Sequence, residues 1–305
     1  MILVTGATGY TGRFLIQKLL DQGRTVRLLV RASSDLSGID AGAIETGVIQ
    51  IVTGDLEQAG NSAAAFAGVR TVLHLAGMEH ARALCDQLEG EVERVVVTSS
   101  LRRFSRIPSA TVDKVVRGEQ ELIESGVPNT ILRPSMIFGP GNDRNISRLA
   151  AQLRRSRFVP IFGNGRHLMQ PVFVGDLVAA IVACLEEPAT SGRAYAIAGA
   201  DPLSYDELID VVGTAVGCAP VKIHLPCWPA LTAIWCADRL GLRLPVSSEQ
   251  VHRLQEDKAF SIEAARADFG YSPLGFSEAI KQTYGSGSEQ LPKKGALGYN
   301  SGQRW

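Results

Sequence analysis

The chain has 305 residues, of which 45% are hydrophobic and 20% charged, and its formal net charge is +0. This is the composition of a folded globular protein, and the length suits one large α/β domain or two unequal ones. A chain without net charge lacks the positive field that attracts nucleic acids and anionic membranes, so we expect no nucleic acid as a partner. Residues 225–241 either form a buried or dimer-interface helix or contact a membrane surface.

The sequence also argues against a membrane span, a secretory signal and a metal site. The most apolar stretch, residues 225–241, is too short to cross a bilayer and carries two prolines near its start. The first residues lead directly into a strand, with no basic and then apolar signal. The five cysteines form no CxxC, and no histidine lies at a metal-ligand spacing from them. We therefore expect a cytoplasmic protein with reduced thiols and no metal.

Apolar runs and amphipathic segments alternate through the first half of the chain. The runs are rich in Val, Ile and Leu, as expected for strands buried on both faces, and the segments between them have helical periodicity. The predicted strands are ILVTG, TVRLLV, VIQIVTGD, VRTVLHLAG, VERVVVTSS and PNTILRPSMIFGPG, and the predicted helices between them are YTGRFLIQKLLDQG, AGNSAAAFAG, MEHARALCDQL and TVDKVVRGEQELIESG. Right-handed crossovers then predict an α/β fold with a doubly wound parallel Rossmann sheet.

The pattern changes near residue 142. We expect residues 1–141 to form a dinucleotide-binding core, and residues 142–284 to contribute the last sheet strands and a smaller C-terminal substrate-side domain. In this second part Ser204 and Glu207 predict a capping box at the start of the helix YDELIDVVGTAVG. Residues 285–305 are Gly- and Ser-rich, which predicts a flexible tail, although the aromatic and Arg residues near its end suit docking onto a protein partner.

Two other groups of residues in the C-terminal half each have two interpretations. Trp228, Trp235 and His252 either line a substrate pocket or belong to the core, and the basic residues of one helix either form a solvated face or bind a substrate phosphate. These basic residues are Arg148, Arg154, Arg155 and Arg157.

The segment TGATGYTGR carries three glycines directly after the first strand and at the start of the first helix. A tight turn, close approach of the backbone to a pyrophosphate and close packing of helix on strand each exclude a side chain at Gly6, Gly9 and Gly12. The helix N-terminus behind the loop presents free N–H groups and a positive dipole end to the phosphates. The loop therefore predicts a dinucleotide site.

The end of the second strand selects between the two nicotinamide dinucleotides. An acidic residue there binds the ribose hydroxyls of NAD, whereas an Arg accommodates the 2′-phosphate of NADP. Arg31 in LLVRASSD favours NADP (NADPH) over NAD. The alternative is that Arg31 is a plain surface charge, and Asp35 is the residue that argues against NADP. Arg13 is a further candidate for a phosphate contact. Asp55 in TGDL either approaches the adenine or stabilises a turn.

The chain resembles the short-chain dehydrogenase/reductase superfamily over about residues 1–284. The resemblance rests on seven motifs in this order: TGATGYTG, GDL, HLAG, VVVTSS, ILRPSMIFGPG, PVFVGDL and FSIEAARADFGYSP. The similarity is greatest to extended or atypical members, the NAD-dependent epimerase/dehydratases and nucleoside-diphosphate-sugar epimerases. The resemblance implies that Ser100 holds the substrate oxygen, that Lys114 binds the nicotinamide ribose and that Pro134 lies along the nicotinamide. The family's proton-transferring Tyr corresponds to Ala110, which cannot transfer a proton.

The loop chemistry and the resemblance together give one set of candidate site residues. Ser100 and Lys114 are the candidate catalytic residues. The candidate dinucleotide contacts are Gly6, Thr8, Gly9, Tyr10, Thr11, Gly12, Arg31, Asp55, Leu56, Leu75, Ala76, Gly77, Thr98, Lys114 and Pro134.

Two functions remain open because the Tyr is missing. In the first, the protein is an NADP-dependent oxidoreductase or epimerase/dehydratase-like enzyme that uses Lys114, in place of the Tyr, together with Ser100. Its substrate is a small carbonyl or hydroxyl compound, and a sugar nucleotide is one of the candidates. In the second, Lys114 binds only ribose, or nothing, and the protein is a catalytically silent NADPH-binding sensor or assembly subunit. A homodimer or a protein partner contacted through the tail is compatible with either function.

Overall fold

The computed structural model describes residues 1–58, 60, 62–88, 92–229, 231–232, 239 and 248–285. Trp235 and the tail from residue 286 lie outside the described residues, and the predictions about them stay predictions. No described helix is long and apolar enough to cross a membrane. Among the described residues, no group of three or more His, Cys, Asp and Glu side chains is placed to hold a metal ion.

A seven-stranded sheet forms the centre of the molecule, and all its neighbouring strands are parallel. Its strands are β1 (Ile2–Thr5), β2 (Val26–Val30), β3 (Ile49–Thr53), β4 (Thr71–His74), β5 (Arg94–Thr98), β6 (Asn129–Pro134) and β11 (Arg193–Ile197). Their order across the sheet is β11-β6-β5-β4-β1-β2-β3. The predicted doubly wound Rossmann fold is confirmed. Because the strand order reverses between β1 and β4, a crevice opens at the carboxyl ends of these two strands.

Helices cover both faces of the sheet. They are α1 (Tyr10–Asp21), α2 (Ala41–Glu45), α3 (Ala63–Phe66), α4 (Ala81–Cys85), α5 (Ala110–Glu124), α6 (Ile146–Arg155), α7 (Val174–Glu186), α8 (Tyr205–Ala215), α9 (Ser248–Arg253), α10 (Glu263–Phe269) and α11 (Phe276–Tyr284). Successive β1 residues point to opposite faces, so that Val4 packs with α1 and α7 whereas Leu3 packs with α3, α4 and α5. Burial on both faces is the reason that these strands read as continuous apolar runs.

A smaller layer covers the carboxyl ends of the sheet. It contains β7 (Ile137–Phe138), β8 (Phe158–Phe162), β9 (Leu168–Met169), β10 (Val172–Phe173), β12 (Leu203–Ser204) and β13 (Val221–Leu225). These strands form three pairs, β7 with β10, β9 with β12 and β8 with β13. Helices α6, α8 and α11 bury a third apolar cluster against them. The predicted capping box is confirmed, because the Ser204 side chain accepts the Glu207 N–H and the Glu207 carboxylate accepts the Ser204 N–H.

Two elements differ from the sequence-based expectation. The segment MEHARALCDQL is a 3-10 turn, Met78–His80, followed by the short α4. Helix α2 was not predicted, because it has five residues, one of them a glycine, and little periodicity. It depends on a local cap, in which the Asp40 carboxylate accepts the N–H groups of Gly42 and Ala43 at 2.9 and 3.2 Å.

Candidate functional site

A cavity of about 1990 Å³ occupies the crevice at the carboxyl ends of the strands. One wall is the glycine loop and the start of α1, and the floor is formed by the ends of β4, β5 and β6. The opposite wall comes from residues 102–107 and 252–258. Ligand pockets are typically ~300–1,000 Å³, so the cavity has room for a dinucleotide and a second molecule.

The glycine loop is shaped by close backbone contacts. Gly6 has φ +71°, and a Cβ there would lie 2.6 Å from the Ala76 nitrogen. A Cβ at Gly12 would overlap the Gly6 carbonyl oxygen. Gly9 is the N-cap of α1 and has no side-chain partner for the helix N–H groups. The loop therefore brings a bare helix N-terminus to the cavity, as a pyrophosphate requires.

The buried His74 fixes the position of this loop relative to the loop after β4. Its Nδ1 lies 2.8 Å from the Thr5 hydroxyl, and its Nε2 lies 3.4 Å from the Gly77 carbonyl oxygen. These contacts fit a neutral ring in which Nε2–H donates to Gly77 and Nδ1 accepts from Thr5. Burial lowers the pKa of His74 to about 4. His74 was not among the predicted site residues, although its position before the LAG segment was a usable signal.

The structure brings most of the predicted dinucleotide contacts together at the cavity surface. These are Gly6, Thr8, Gly9, Tyr10, Thr11, Gly12, Leu75, Ala76, Gly77, Thr98 and Pro134. Tyr10 is not available for proton transfer, because its hydroxyl donates to the Pro140 carbonyl at 3.1 Å and burial raises its pKa.

Three predicted contacts at the adenosine end do not line the cavity. Arg31 is exposed and forms a turn, in which its N–H donates to the Ser34 hydroxyl at 3.1 Å. The Asp55 carboxylate accepts the Glu57 N–H at 3.1 Å, the turn-stabilising role that the sequence left open. Leu56 is buried in the core cluster on the α4 side of the sheet.

Arg13, a secondary candidate from the sequence, does line the cavity. Its side chain is 15% exposed and forms an ion pair with Asp35 at 3.2 Å. Its Nε donates to the Thr8 carbonyl at 3.1 Å, which holds the guanidinium beside the glycine loop. Residues 37–40 complete this end of the cavity and were not predicted, since their approach depends on the path of the chain after β2.

Helix α5 turns Lys114 away from the cavity. Lys114 is exposed and is not a cavity residue, whereas Val115, the next residue, is 9% exposed and lines the cavity. One helical residue corresponds to a rotation of about 100°, so both side chains cannot face the same way. The rotation of α5 is fixed because Gly118 packs on the Met78 carbonyl, where a Cβ would overlap. Lys114 therefore does not line the cavity, its predicted contacts stay predictions, and Ala110 is exposed as well.

A buried ionic network lies behind the end of β5. The Glu119 side chain is 1% exposed and pairs with Arg133 at 2.7 Å and with Arg103. Glu119 also accepts a hydrogen bond from the Ser99 hydroxyl. Both guanidinium groups lie against the Phe104 ring, 5.4 and 5.5 Å from its centre. The network joins α5, β5 and β6 and positions the segment that carries Ser100.

Ser100 lines the cavity, where the resemblance placed it. Its Oγ accepts the Arg102 N–H at 3.1 Å, which caps the 3-10 turn Leu101–Phe104. The hydroxyl proton stays free to donate to a ligand oxygen. Of the two described pocket candidates in the C-terminal half, His252 lines the cavity, whereas Trp228 is 71% exposed and lies outside it.

Two protein-family models match the chain. The family described as NAD(P)H-binding matches residues 6–155, and the NAD dependent epimerase/dehydratase family matches residues 120–198. The first match begins at Gly6 in the glycine loop, and the second contains the sheet strands β6 and β11.

Two curated proteins and one solved structure illustrate the range of similar proteins. NADH dehydrogenase [ubiquinone] 1 alpha subcomplex subunit 9, mitochondrial, of Dictyostelium discoideum is 32% identical over 232 residues, covering 70% of this chain and 63% of that protein. The chain thus spans less than two thirds of that relative. The 2-alkyl-3-oxoalkanoate reductase of Stenotrophomonas maltophilia is 26% identical over 89% of this chain and 94% of that protein. The UDP-glucuronic acid 4-epimerase of Bacillus cereus, solved with UDP-glucuronic acid and NAD, is similar in fold, with TM-score 0.69, 19% identity and coverage of 93% of this chain and 97% of that chain.

Proposed function

We propose that this chain holds NADPH as a nucleotide-binding subunit of a larger protein assembly. The chain belongs to the extended or atypical short-chain dehydrogenase/reductase family, which supports the nucleotide-binding part of the proposal. The observation that carries this proposal is the rotation of α5. It presents Val115 to the cavity and leaves Lys114 in solvent, while Ala110 stands at the position of the family's Tyr. General acid–base catalysis contributes roughly 10²–10⁴-fold, and this end of the cavity offers no Tyr or Lys of α5 to supply it.

The preference for NADPH rests on Arg13. This guanidinium lies beside the glycine loop, and its partner Asp35 is half-exposed, so that a 2′-phosphate can replace the carboxylate as the ion-pair partner. Arg31, at the turn after β2, adds positive charge near the same end of the crevice. An Asp or Glu at the end of β2, which would favour NAD, is lacking there.

The role as a subunit rests on a relative and on a surface. The Dictyostelium relative is named as a subunit of NADH dehydrogenase. On this chain, the outer face of the β8–β13 pair exposes Phe158, Ile223 and Leu225, and the exposed Trp228 lies three residues after the end of β13. Large exposed apolar side chains on one face are typical of surfaces that a protein partner covers. A contact through residues 285–305 remains a second way to bind a partner, and a cytoplasmic location remains part of the proposal.

Fluorescence titration with NADPH and NADH tests the nucleotide site. We expect NADPH to bind about 10- to 100-fold more tightly than NADH, the ratio for one charge-assisted contact. The Arg13→Met variant should lose most of this ratio, whereas Arg31→Met should lose less, because its side chain lies outside the cavity. Equal affinities for the two dinucleotides in the unchanged protein would contradict the NADPH assignment.

The Lys114→Ala variant tests whether α5 takes part in chemistry. We expect unchanged NADPH affinity, and a free energy of unfolding within ~0.5 kcal/mol of the parent, as for other surface substitutions. Lys18→Ala, an exposed lysine of α1 outside the cavity, is the matched control. A loss of NADPH-dependent turnover in Lys114→Ala, but not in Lys18→Ala, would refute the proposal. Such a loss would mean that Lys114 acts in the cavity, whereas the proposal places its side chain in solvent on the outer side of α5.

A second candidate function, a reductase, is favoured by Lys258. This residue lines the same cavity as Ser100, and burial lowers its pKa. A lysine of this kind can donate a proton to a carbonyl oxygen during hydride transfer. Oxidation of NADPH in a single turnover with a 2-alkyl-3-oxoalkanoate, abolished by Lys258→Met but not by Lys114→Ala, would favour this second function. No oxidation above the rate without protein would leave the nucleotide-holding role.

A further inference from the structure

Every side chain on the outer face of the β8–β13 pair is apolar. The strand register places six residues on this face, in directly opposite pairs: Phe158 with Val221, Pro160 with Ile223, and Phe162 with Leu225. Four of the six, Phe158, Pro160, Ile223 and Leu225, are exposed. The outer face is therefore a continuous apolar surface without a polar side chain.

The polar side chains of β13 point toward the body of the protein instead. Lys222 pairs with Asp210 of α8 at 2.6 Å, and His224 pairs with Asp206 of the same helix at 3.0 Å. The alternate residues of β8 are buried among the apolar side chains of α6 and α8. A sheet with one solvated face normally turns its polar residues outward and its apolar residues inward. The reversed alternation of β13 is typical of a sheet whose outer face packs against another surface.

The two ends of this apolar face carry different chemistry. The exposed Arg155 and Arg157 precede β8, and the exposed Trp228 lies three residues after β13. Since the two strands are parallel and five residues of strand extend about 16 Å, the arginines and the Trp lie at opposite ends. A guanidinium group is attracted to the face of a Trp ring. The complementary surface is thus apolar at its centre, aromatic where it meets the arginines and cationic where it meets Trp228, and this same face turned end for end has those properties.

We propose that the outer face of the β8–β13 pair binds a second copy of this chain across a twofold axis. The axis lies between the two stacked sheets and runs across the strands, so that Ile223, at the middle of β13, lies opposite its own counterpart. Trp228 of each chain then lies near Arg155 and Arg157 of the other. The inference rests on the proposed role as a subunit and names a second copy as the partner at this face. None of these residues lines the nucleotide cavity.

Sedimentation equilibrium of the full chain tests the interface over about 1 to 200 µM, a range suited to an interface of modest size. We expect the average mass to rise with concentration from that of one chain toward twice that value. Ile223→Lys and, independently, Ile223→Glu place like charges opposite each other, so each should weaken dimerisation at least about tenfold. An equimolar mixture of the two variants should restore the dimer, because opposite charges then meet on the axis. Ile123→Lys, the same change at an exposed isoleucine of α5, is the matched control and should dimerise like the parent.

Several results would overturn the proposal. They are a dimer that persists in Ile223→Lys, a mixture of the two charged variants that stays monomeric, and a dimer that is lost in Ile123→Lys alone. A parent chain that stays monomeric at every concentration would also overturn it. Binding of that monomer to phosphatidylglycerol vesicles would then assign the face to a membrane surface, and no binding would assign it to a different protein.

A titration of Ile223→Lys with NADPH separates this interface from the nucleotide site. We expect the affinity of the parent, because the face lies outside the cavity. A parent that dimerises but does not bind NADPH would contradict the nucleotide-holding role and leave the interface supported. A monomeric parent that binds NADPH would contradict only the interface.

Discussion

The buried His74 makes the stability of this protein depend on pH below about 6.5. The ring is fully buried, and its pKa is lowered from 6.5 to about 4. Well above pH 6.5 the ring is neutral in the folded and unfolded states, and it does not contribute to the pH dependence of stability. As the pH falls from 6.5 toward 4, only the unfolded state binds the proton, so the folded state loses stability.

The size of this loss follows from the shift in pKa. At ~1.36 kcal/mol per pKa unit, a decrease from 6.5 to about 4 corresponds to roughly 3 kcal/mol. Urea unfolding at pH 7.5, 6, 5 and 4 measures it, with His74→Gln as the comparison. The Gln amide can still donate to the Gly77 carbonyl but does not titrate, so we expect its free energy of unfolding to fall by about 3 kcal/mol less over this range.

The comparison between the two proteins also removes the contribution of the carboxylates. Asp35, Glu207 and Asp257 have pKa values below the usual range, so each loses stabilising interactions only as the pH approaches 4, and equally in both proteins. Parallel curves for the parent and His74→Gln between pH 7.5 and 5 would refute the assignment of a buried neutral ring. NADPH affinity measured over the same range would show whether the link from His74 to Gly77 also positions the dinucleotide loop.

Two further substitutions test the packing behind the site. In Gly12→Ala the new Cβ overlaps the Gly6 carbonyl, so we expect NADPH binding to weaken at least about tenfold and the free energy of unfolding to fall by ~1–3 kcal/mol. The control is Gly275→Ala, where a Cβ meets open space. Equal effects of the two substitutions would contradict this geometry. In Glu119→Gln two buried guanidinium groups lose their counterion, so urea unfolding should show a loss of ~3–5 kcal/mol. The exposed Glu124→Gln on the same helix should stay within ~0.5 kcal/mol, and a similarly small effect at Glu119 would mean that the network contributes little.

The fold and the shape of the glycine loop could be predicted from the sequence because their signals are local. Gly6 and Gly12 stand where a side chain would collide with the backbone, and that requirement is visible as a spacing directly after a strand. The strands are continuous apolar runs because both sheet faces are covered, which is again a property of each run by itself. The capping box at Ser204 likewise involves only four consecutive residues.

The residues that face the cavity were decided by contacts between distant segments. Helical periodicity predicts an apolar stripe along α5, but Val115 and Val116 both fit such a stripe. In the structure, Gly118 packs against the Met78 carbonyl, and this contact fixes the rotation that leaves Lys114 outside the cavity. In the same way, Arg13 lines the cavity and Arg31 does not, because the turn after β2 leaves Arg31 in solvent. A side chain's neighbours in sequence determine its secondary structure. Its direction relative to a ligand depends on what packs behind it, and that is set only when the chain folds.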